Sequence, residues 1–151
     1  MFRTQSWQEP NKFLDEYGDL QTLTSDMNSP DFRKGANGFF RFDSTVIPEE
    51  YIPHLNRVID RAKDSGATVV FSYPSLNRNN IEASSLNEEA YASYNEWIAK
   101  TVHCKLISDV QDYIYNGEYF YNTDYHLNTV GRELNTKQLA EDLIAAKIGV
   151  K

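Results

Sequence analysis

A chain of 151 residues, 40% hydrophobic and 25% charged, has the length and composition of one soluble domain with a buried core. Its net charge of −7 comes with 15 scattered basic residues and no basic stripe, which argues against nucleic-acid binding. The single cysteine, Cys104, excludes an internal disulfide and a cysteine-rich zinc site, and no apolar run reaches the roughly 20 residues of a membrane helix.

Residues 1–36 are the least regular part of the chain. They lack the apolar middle region of a signal peptide, so at face value we expect a soluble, cytoplasmic protein. A short amphipathic segment lies within 9–23, and 25–38 contain the turn-forming sequences Asn-Ser-Pro-Asp and Lys-Gly-Ala-Asn-Gly. A loop of this length is unusual in a compact domain, and it indicates either a functional role or an absent packing partner.

Regular structure is predicted from residue 39 onward. Residues 39–42 form a short strand or an extended segment, and 48–51 form a turn. A helix begins near Ile52, with Pro53 in its first turn, and Gly66 ends it. Its apolar face is predicted to contain Leu55, Val58, Ile59 and Ala62.

Two strands flank a second helix. Residues 67–73 are a continuous apolar, β-branched and aromatic run, which predicts a central strand buried on both faces of a parallel sheet. After a polar loop over 74–83, Ser85 and Glu88 form a capping-box pattern that opens a helix over 88–101. Its apolar face takes Ala90, Tyr91, Tyr94, Trp97 and Ile98. Residues 102–108 form the second strand.

The remaining residues complete an α/β pattern. The sequence predicts a helical turn over 110–115. It predicts that the last helix begins at Leu127 or Asn128 and ends near Gly149. The residues expected to face inward are Val130, Leu134, Leu143 and Ile144. This order of elements predicts one domain over 1–151 with a flavodoxin-like three-layer α/β/α fold and parallel strands. Only two strands are clear, so we expect an incomplete sheet with open edges that favour homodimerisation.

Asp124 and His126 are the strongest candidates for chemistry. Functional groups of parallel sheets gather beyond the carboxyl ends of the strands, where we expect 74–80, Asp109 and the following residues, and the loop before the last helix. Two residues apart in extended chain, Asp124 and His126 point to the same side, so the carboxylate can orient the imidazole as in a hydrolytic triad. The alternative is a loop aspartate that caps a backbone amide beside a surface histidine.

The sequence Asp124-Tyr-His-Leu-Asn, followed by Gly131-Arg and a helix, resembles the last conserved block of the SGNH/GDSL hydrolase superfamily. The arrangement of an Asp and a His that flank a single residue is similar to that in the SGNH-like domains of alginate O-acetyltransferases. The continuation His-Leu-Asn-x-x-Gly-Arg is similar to bacterial SGNH-like proteins related to the teichoic acid D-alanyl transfer protein. Residues 13–20 and 69–77 resemble a middle segment and a later core strand of the same proteins.

This resemblance implies ester hydrolysis or O-acyl transfer by a Ser-His-Asp mechanism, on an ester or acylated-carbohydrate substrate, with no cofactor. It implies that His126 is the general base and that Asp124 orients it. Relatives often carry an aspartate four residues before the histidine, where this chain has Asn122. Asn122 is therefore an alternative orienting residue, which would hold the imidazole without a charge. The parent family is often extracytoplasmic.

The nucleophile of the superfamily is missing. Gly18-Asp is followed by leucine instead of serine, and no Gly-x-Ser-x-Gly elbow occurs. Ser72, Ser75 and Ser108 lie near strand ends. Ser72 is expected to face a helix layer, and Ser75 is the best placed of the three, but a strand–Pro–Ser turn lacks the exposed, amide-backed geometry that a nucleophile needs. We therefore expect the serine to come from a missing N-terminal half or a partner, and the isolated chain to be inactive. The alternative function is a non-catalytic remnant or interaction module that dimerises through its sheet edge.

Metal binding is the other chemistry that acidic residues and histidines suggest. Asp109 or Asp112 could add oxygen ligands to Asp124 and His126, but no HExxH sequence or carboxylate repeat supports a metal site. We expect His54 and His103 at the surface or in packing, and no metal ligand in the chain.

Overall fold

The computed structural model describes residues 40–121 and 123–149. The predictions for residues 1–36 and for Asn122 lie outside these described residues. Three helices and four short strands follow one another, joined by 3-10 turns. They are α1 (Tyr51–Asp64), β1 (Val70–Phe71), β2 (Leu76–Asn77), α2 (Glu88–Thr101), β3 (Lys105–Leu106), β4 (Ile114–Tyr115) and α3 (Thr129–Ala145). The mixed α/β class is confirmed.

The strands form two parallel pairs. Val70 of β1 lies opposite Lys105 of β3, and Leu76 of β2 lies opposite Ile114 of β4. Since α2 lies in the connection from β1 to β3, the predicted helical crossover between parallel strands is confirmed. Each strand has only two residues, and β1 is half-buried, so the prediction of a long strand buried on both faces was wrong. The apolar run reflects packing against the helices, which periodicity alone does not distinguish from a buried strand.

Helix α1 has its predicted start and stop, and Gly66 follows it with a φ of +87°. Its predicted apolar face was partly wrong, because Val58 is 67% exposed while Asn56 is buried. The amide of Asn56 donates to the Thr101 carbonyl at 2.8 Å and accepts from the His103 N–H at 2.9 Å. These two bonds satisfy the polar side chain and let it take the inward position.

Helix α2 has the predicted bounds and apolar face, but its cap is not the predicted one. The Asn87 side chain accepts from the Ala90 N–H at 3.0 Å and caps the helix. The Ser85 hydroxyl, predicted as the cap, instead accepts from the Phe42 N–H at 3.3 Å. Tyr91 and Ile98 face the core, whose buried residues also include Phe42, Ile59, Tyr73, Leu76, Ile81, Val102, Val110, Tyr113 and Ile114.

Helix α3 begins after Asn128 as predicted, but most of its inward residues were wrong. Val130, Leu134 and Ile144 are exposed, and of the four predicted residues only Leu143 is half-buried. The side that faces the rest of the fold mixes two half-buried leucines, Leu139 and Leu143, with small and polar residues, namely Gly131, Asn135, Gln138 and Asp142. Hydrogen bonds and the close backbone approach at Gly131 therefore take part in docking this helix, and an apolar pattern does not reveal such a mixed face.

Candidate functional site

The Asp124 carboxylate is held at the carboxyl end of a parallel strand. Asn77 is the last residue of β2 and is only 2% exposed. Its side-chain amide donates to Asp124 Oδ1 at 3.2 Å, while its own Oδ1 accepts from the Asn79 N–H at 3.0 Å. The prediction that the loop before the last helix meets residues 74–80 is thus confirmed. Asp124 lies where functional groups of parallel sheets usually gather.

The turn that carries Asp124 and His126 is closed by backbone hydrogen bonds. Phe120 and Leu127 form an antiparallel bridge, and the Tyr121 N–H donates to the His126 carbonyl at 3.0 Å. Inside the turn, the His126 N–H donates to the Thr123 hydroxyl at 3.0 Å. The backbone on both sides of the imidazole is therefore tied down.

The His126 ring lies on an aromatic platform. It stacks on the ring of Tyr121 with a centroid distance of 5.7 Å and an interplanar angle of 24°. Tyr121 is buried and His126 is exposed, so a buried ring supports one face of an imidazole at the protein surface. Asp124, on the same turn, is half-buried. Sequence reasoning named Asp124 and His126 but missed their partners Asn77 and Tyr121.

The start of α3 fixes the turn in space. Asn128 Oδ1 caps the helix by accepting from the Gly131 N–H at 2.9 Å, and its Nδ2 donates to the Glu118 carbonyl at 2.7 Å. A Cβ atom on Gly131 would lie 2.5 Å from the Tyr119 carbonyl oxygen. The first turn of α3 therefore lies directly against the backbone that leads into the site, at a spacing that only glycine permits.

Two of the three candidate serines, Ser72 and Ser108, belong to a chain of hydrogen bonds between elements. The Ser108 hydroxyl donates to Ser72 Oγ at 2.8 Å and lies 3.4 Å from the Tyr113 hydroxyl. Tyr113 donates in turn to Asp142 Oδ2 at 2.8 Å, and burial raises the pKa of Tyr113. These contacts tie β1, β3 and α3 together. They engage the hydroxyls of Ser72 and Ser108, and Ser75 is half-buried.

A polar cavity of about 590 Å³ lies against the residues that follow β2. Arg78, which follows Asn77 in the chain, lines it together with Asp112 from the turn after Asp109. Burial, and then the carboxylates of Asp109 and Asp142, raises the pKa of Asp112. The remaining lining residues are Leu86, Asn87, Glu88, Tyr91, Gln111 and Ile114. The three segments predicted to gather at the strand ends are thus linked. Residues 74–80 and the segment after Asp109 both line this cavity. The loop before α3 is joined to residues 74–80 by the hydrogen bond between Asn77 and Asp124.

A second carboxylate–imidazole pair lies elsewhere in the fold. His103 Nδ1 is 2.8 Å from Asp60 Oδ2, and both side chains are about half exposed. Sequence reasoning did not find this pair because 43 residues separate its members, so no local spacing connects them.

Among the described residues, no group of three or more His, Cys, Asp or Glu side chains is arranged to hold a metal ion. Nor does that part of the chain contain a helix with the length and apolar character needed to cross a membrane. No protein family, curated protein or solved structure matches the chain. The residues quoted for the SGNH resemblance are therefore its only support.

Proposed function

We propose that Asp124 and His126 are the carboxylate and the general base of an SGNH-type site for ester hydrolysis or O-acyl transfer, on a flavodoxin-like sheet. The hydrogen bond from Asn77 to Asp124 carries this proposal, because it holds the carboxylate of the Asp-x-His turn at the carboxyl end of a parallel strand. The stacking of His126 on Tyr121 adds a fixed position for the base.

In the proposed reaction, His126 takes the proton of a hydroxyl as that oxygen attacks the ester carbonyl. The imidazolium then gives the proton to the alcohol oxygen as the alcohol departs. The acyl group stays bonded to the attacking oxygen. Asp124 holds the imidazole and stabilises its charged form. Asn77 does not touch the substrate in this scheme, and it acts by positioning Asp124.

The attacking hydroxyl comes from outside the described residues in this proposal, or from water in simple hydrolysis. The sequence contains no Gly-Asp-Ser motif, and Ser72 and Ser108 are engaged with each other. The substrate class is an ester or an acylated carbohydrate. The cavity beside Arg78 supports a polar substrate, because its lining combines a guanidinium, carboxylates and side-chain amides.

The test is the rate of p-nitrophenyl acetate hydrolysis by the purified chain, with variants of His126 and His54 compared in parallel. The isolated chain lacks the acyl-accepting serine, so this assay reports general-base attack by water; for that reaction we expect turnover above that of the same concentration of free imidazole, and a loss of at least about tenfold in His126→Gln. His54→Gln is the matched control and should retain the wild-type rate. Turnover no greater than free imidazole, or an equal loss in both variants, would overturn the proposal.

The second candidate function is a non-catalytic module that dimerises through a sheet edge. Within the described residues each strand has one hydrogen-bonded neighbour, so β1 to β4 each retain an edge for a further strand. This function predicts a dimer by sedimentation equilibrium at micromolar concentration. A stable monomer would overturn it without bearing on the ester reaction.

A further inference from the structure

A second cavity, of about 640 Å³, lies between α1 and the end of α2. We call it the α1–α2 cavity. It shares no lining residue with the cavity beside Arg78, and neither Asp124 nor His126 lines it. Its lining residues are Ile52, Pro53, Asn56, Arg57, Asp60, Lys100, Thr101 and His103.

Contacts from one side of α1 fix the position of His103 in this cavity. Its backbone N–H donates to Asn56 Oδ1 at 2.9 Å, and its carbonyl accepts from Lys63 Nζ at 2.9 Å. The Asp60 carboxylate binds the ring through Nδ1 at 2.8 Å. Positions 56, 60 and 63 recur at helical spacing, so three consecutive turns of α1 hold one histidine. The imidazole is thereby oriented before any ligand binds.

Two donors at the cavity are left for a ligand. With Nδ1 of His103 held by Asp60, Nε2 is the ring nitrogen that no described residue engages. Arg57 forms no ion pair with any residue in the described part of the chain. The other polar side chains are already engaged: Lys100 pairs with Glu96, and the Thr101 hydroxyl donates to the Trp97 carbonyl.

One cation at the cavity is left unpaired. Lys100 is neutralised by Glu96 and the Asp60 carboxylate binds the His103 ring, so Arg57 is the lining cation that no described carboxylate neutralises. We propose that the α1–α2 cavity binds a small oxyanion, a carboxylate or a sulfate- or phosphate-like group, between the Arg57 guanidinium and His103 Nε2–H. A fork of guanidinium donors beside an imidazolium matches the geometry of such a ligand.

Binding uses the imidazolium form of His103, since only that form donates from Nε2 while Nδ1–H binds Asp60. The charged groups around the ring are Arg57, Asp60 and Lys63 of α1, and Lys100 with its partner Glu96 of α2.

Sulfate is the first probe, because it stays fully ionised around neutral pH. Titration followed by the imidazole NMR signals should shift His103 saturably, whereas His54, His126 and a sodium chloride titration of equal ionic strength should show no saturable shift. A parallel acetate titration identifies the preferred oxyanion, and saturable binding of either one at His103 supports the site. Saturable shifts at His126 alone would overturn it.

The variant Arg57→Gln should weaken sulfate binding roughly tenfold, as expected for the loss of one charge-assisted contact. The matched control is Arg61→Gln, one turn further along α1 and outside the cavity lining. Equal affinities in the two variants would overturn the proposal. Ester turnover by the chain plays no part in this test.

Discussion

The side-chain amide of Asn77 and the carboxylate of Asp124 are hydrogen-bonded at 3.2 Å across 47 residues of sequence. This contact joins the end of β2 to the turn before α3, and it places a polar pair that is mostly shielded from solvent at the edge of the sheet. The position of the turn that carries Asp124 and His126 therefore depends on β2, which is distant from that turn in sequence.

Replacing Asn77 by aspartate should destabilise the fold at pH 7. Asn77→Asp keeps an acceptor for the Asn79 N–H but sets a second carboxylate against Asp124, and we expect a loss of about 1–3 kcal/mol in the free energy of unfolding. Repulsion raises the pKa of the carboxyl pair in the folded state, so the loss develops as pH rises through that pKa and shrinks at pH 4. Urea unfolding of both proteins at each pH measures this difference. An equal loss at both pH values would contradict it.

Substitution of Gly131 by alanine should move α3 away from the site. Its Cβ would lie 2.5 Å from the Tyr119 carbonyl oxygen and 3.0 Å from Leu127 Cδ2, so backbone must shift. We expect a net loss of about 1–3 kcal/mol, despite the better helix propensity of alanine. Thr136→Ala, at an exposed position of the same helix, should be neutral or slightly stabilising. Thermal unfolding of the two variants tests this, and equal melting temperatures would refute it.

The two asparagine caps should differ in their contribution to stability. Asn87 and Asn128 each cap a helix and each donate to an upstream carbonyl, but only Asn128 is buried. We expect Asn87→Ala to cost about 1 kcal/mol and Asn128→Ala about 2 kcal/mol, since truncating the buried Asn128 removes packing as well as hydrogen bonds. Asn128→Asp, which keeps the cap acceptor, should recover part of the loss. Denaturant unfolding that ranks Asn87→Ala as the more costly substitution would contradict this account.

Removing the charge of Asp112 should stabilise the protein at neutral pH. Its pKa is raised by burial and by Asp109 and Asp142, so the ionised form is the less stable one in the folded state. That penalty is present once pH exceeds the raised pKa and is absent below the pKa of the unfolded chain. Asp112→Asn should therefore gain less than about 1 kcal/mol at pH 7, because solvent screens this exposed group, and nothing at pH 3. A gain in stability that persists at pH 3 would contradict this prediction, because the charge of Asp112 could not be its cause.

Local signals were sufficient to predict the helices. Pro53 in a first turn, Gly66 as a stop and the aromatic spacing of α2 are all readable within about 15 residues, and the α1 and α2 bounds follow from them. The strands β2 and β4 have two residues each, too few for a period to appear, and β2 ends in a buried asparagine. Its burial depends on Asp124, a partner that no local pattern indicates.

In the candidate site, too, some residues could be predicted from local sequence and others could not. The short spacing of Asp124 and His126 made them visible in sequence, whereas Asn77 lies in a distant segment and Tyr121 precedes the turn as one aromatic among several. The inward face of α3 was mispredicted because it combines the half-buried Leu139 and Leu143 with polar residues such as Asp142, which accepts a hydrogen bond from Tyr113. The Asp60–His103 pair had no sequence signal for the same reason: it depends on the packing of α1 against the end of α2.

The most direct test of the central claim is a double-mutant cycle on ester turnover with Asp124→Asn, His126→Gln and the combined variant. If Asp124 acts through His126, its loss lowers the rate in the wild-type background and has no further effect once His126 is gone. We predict that the combined variant and His126→Gln have the same residual rate of p-nitrophenyl acetate hydrolysis. Independent, multiplicative losses from the two substitutions would contradict the proposed pairing.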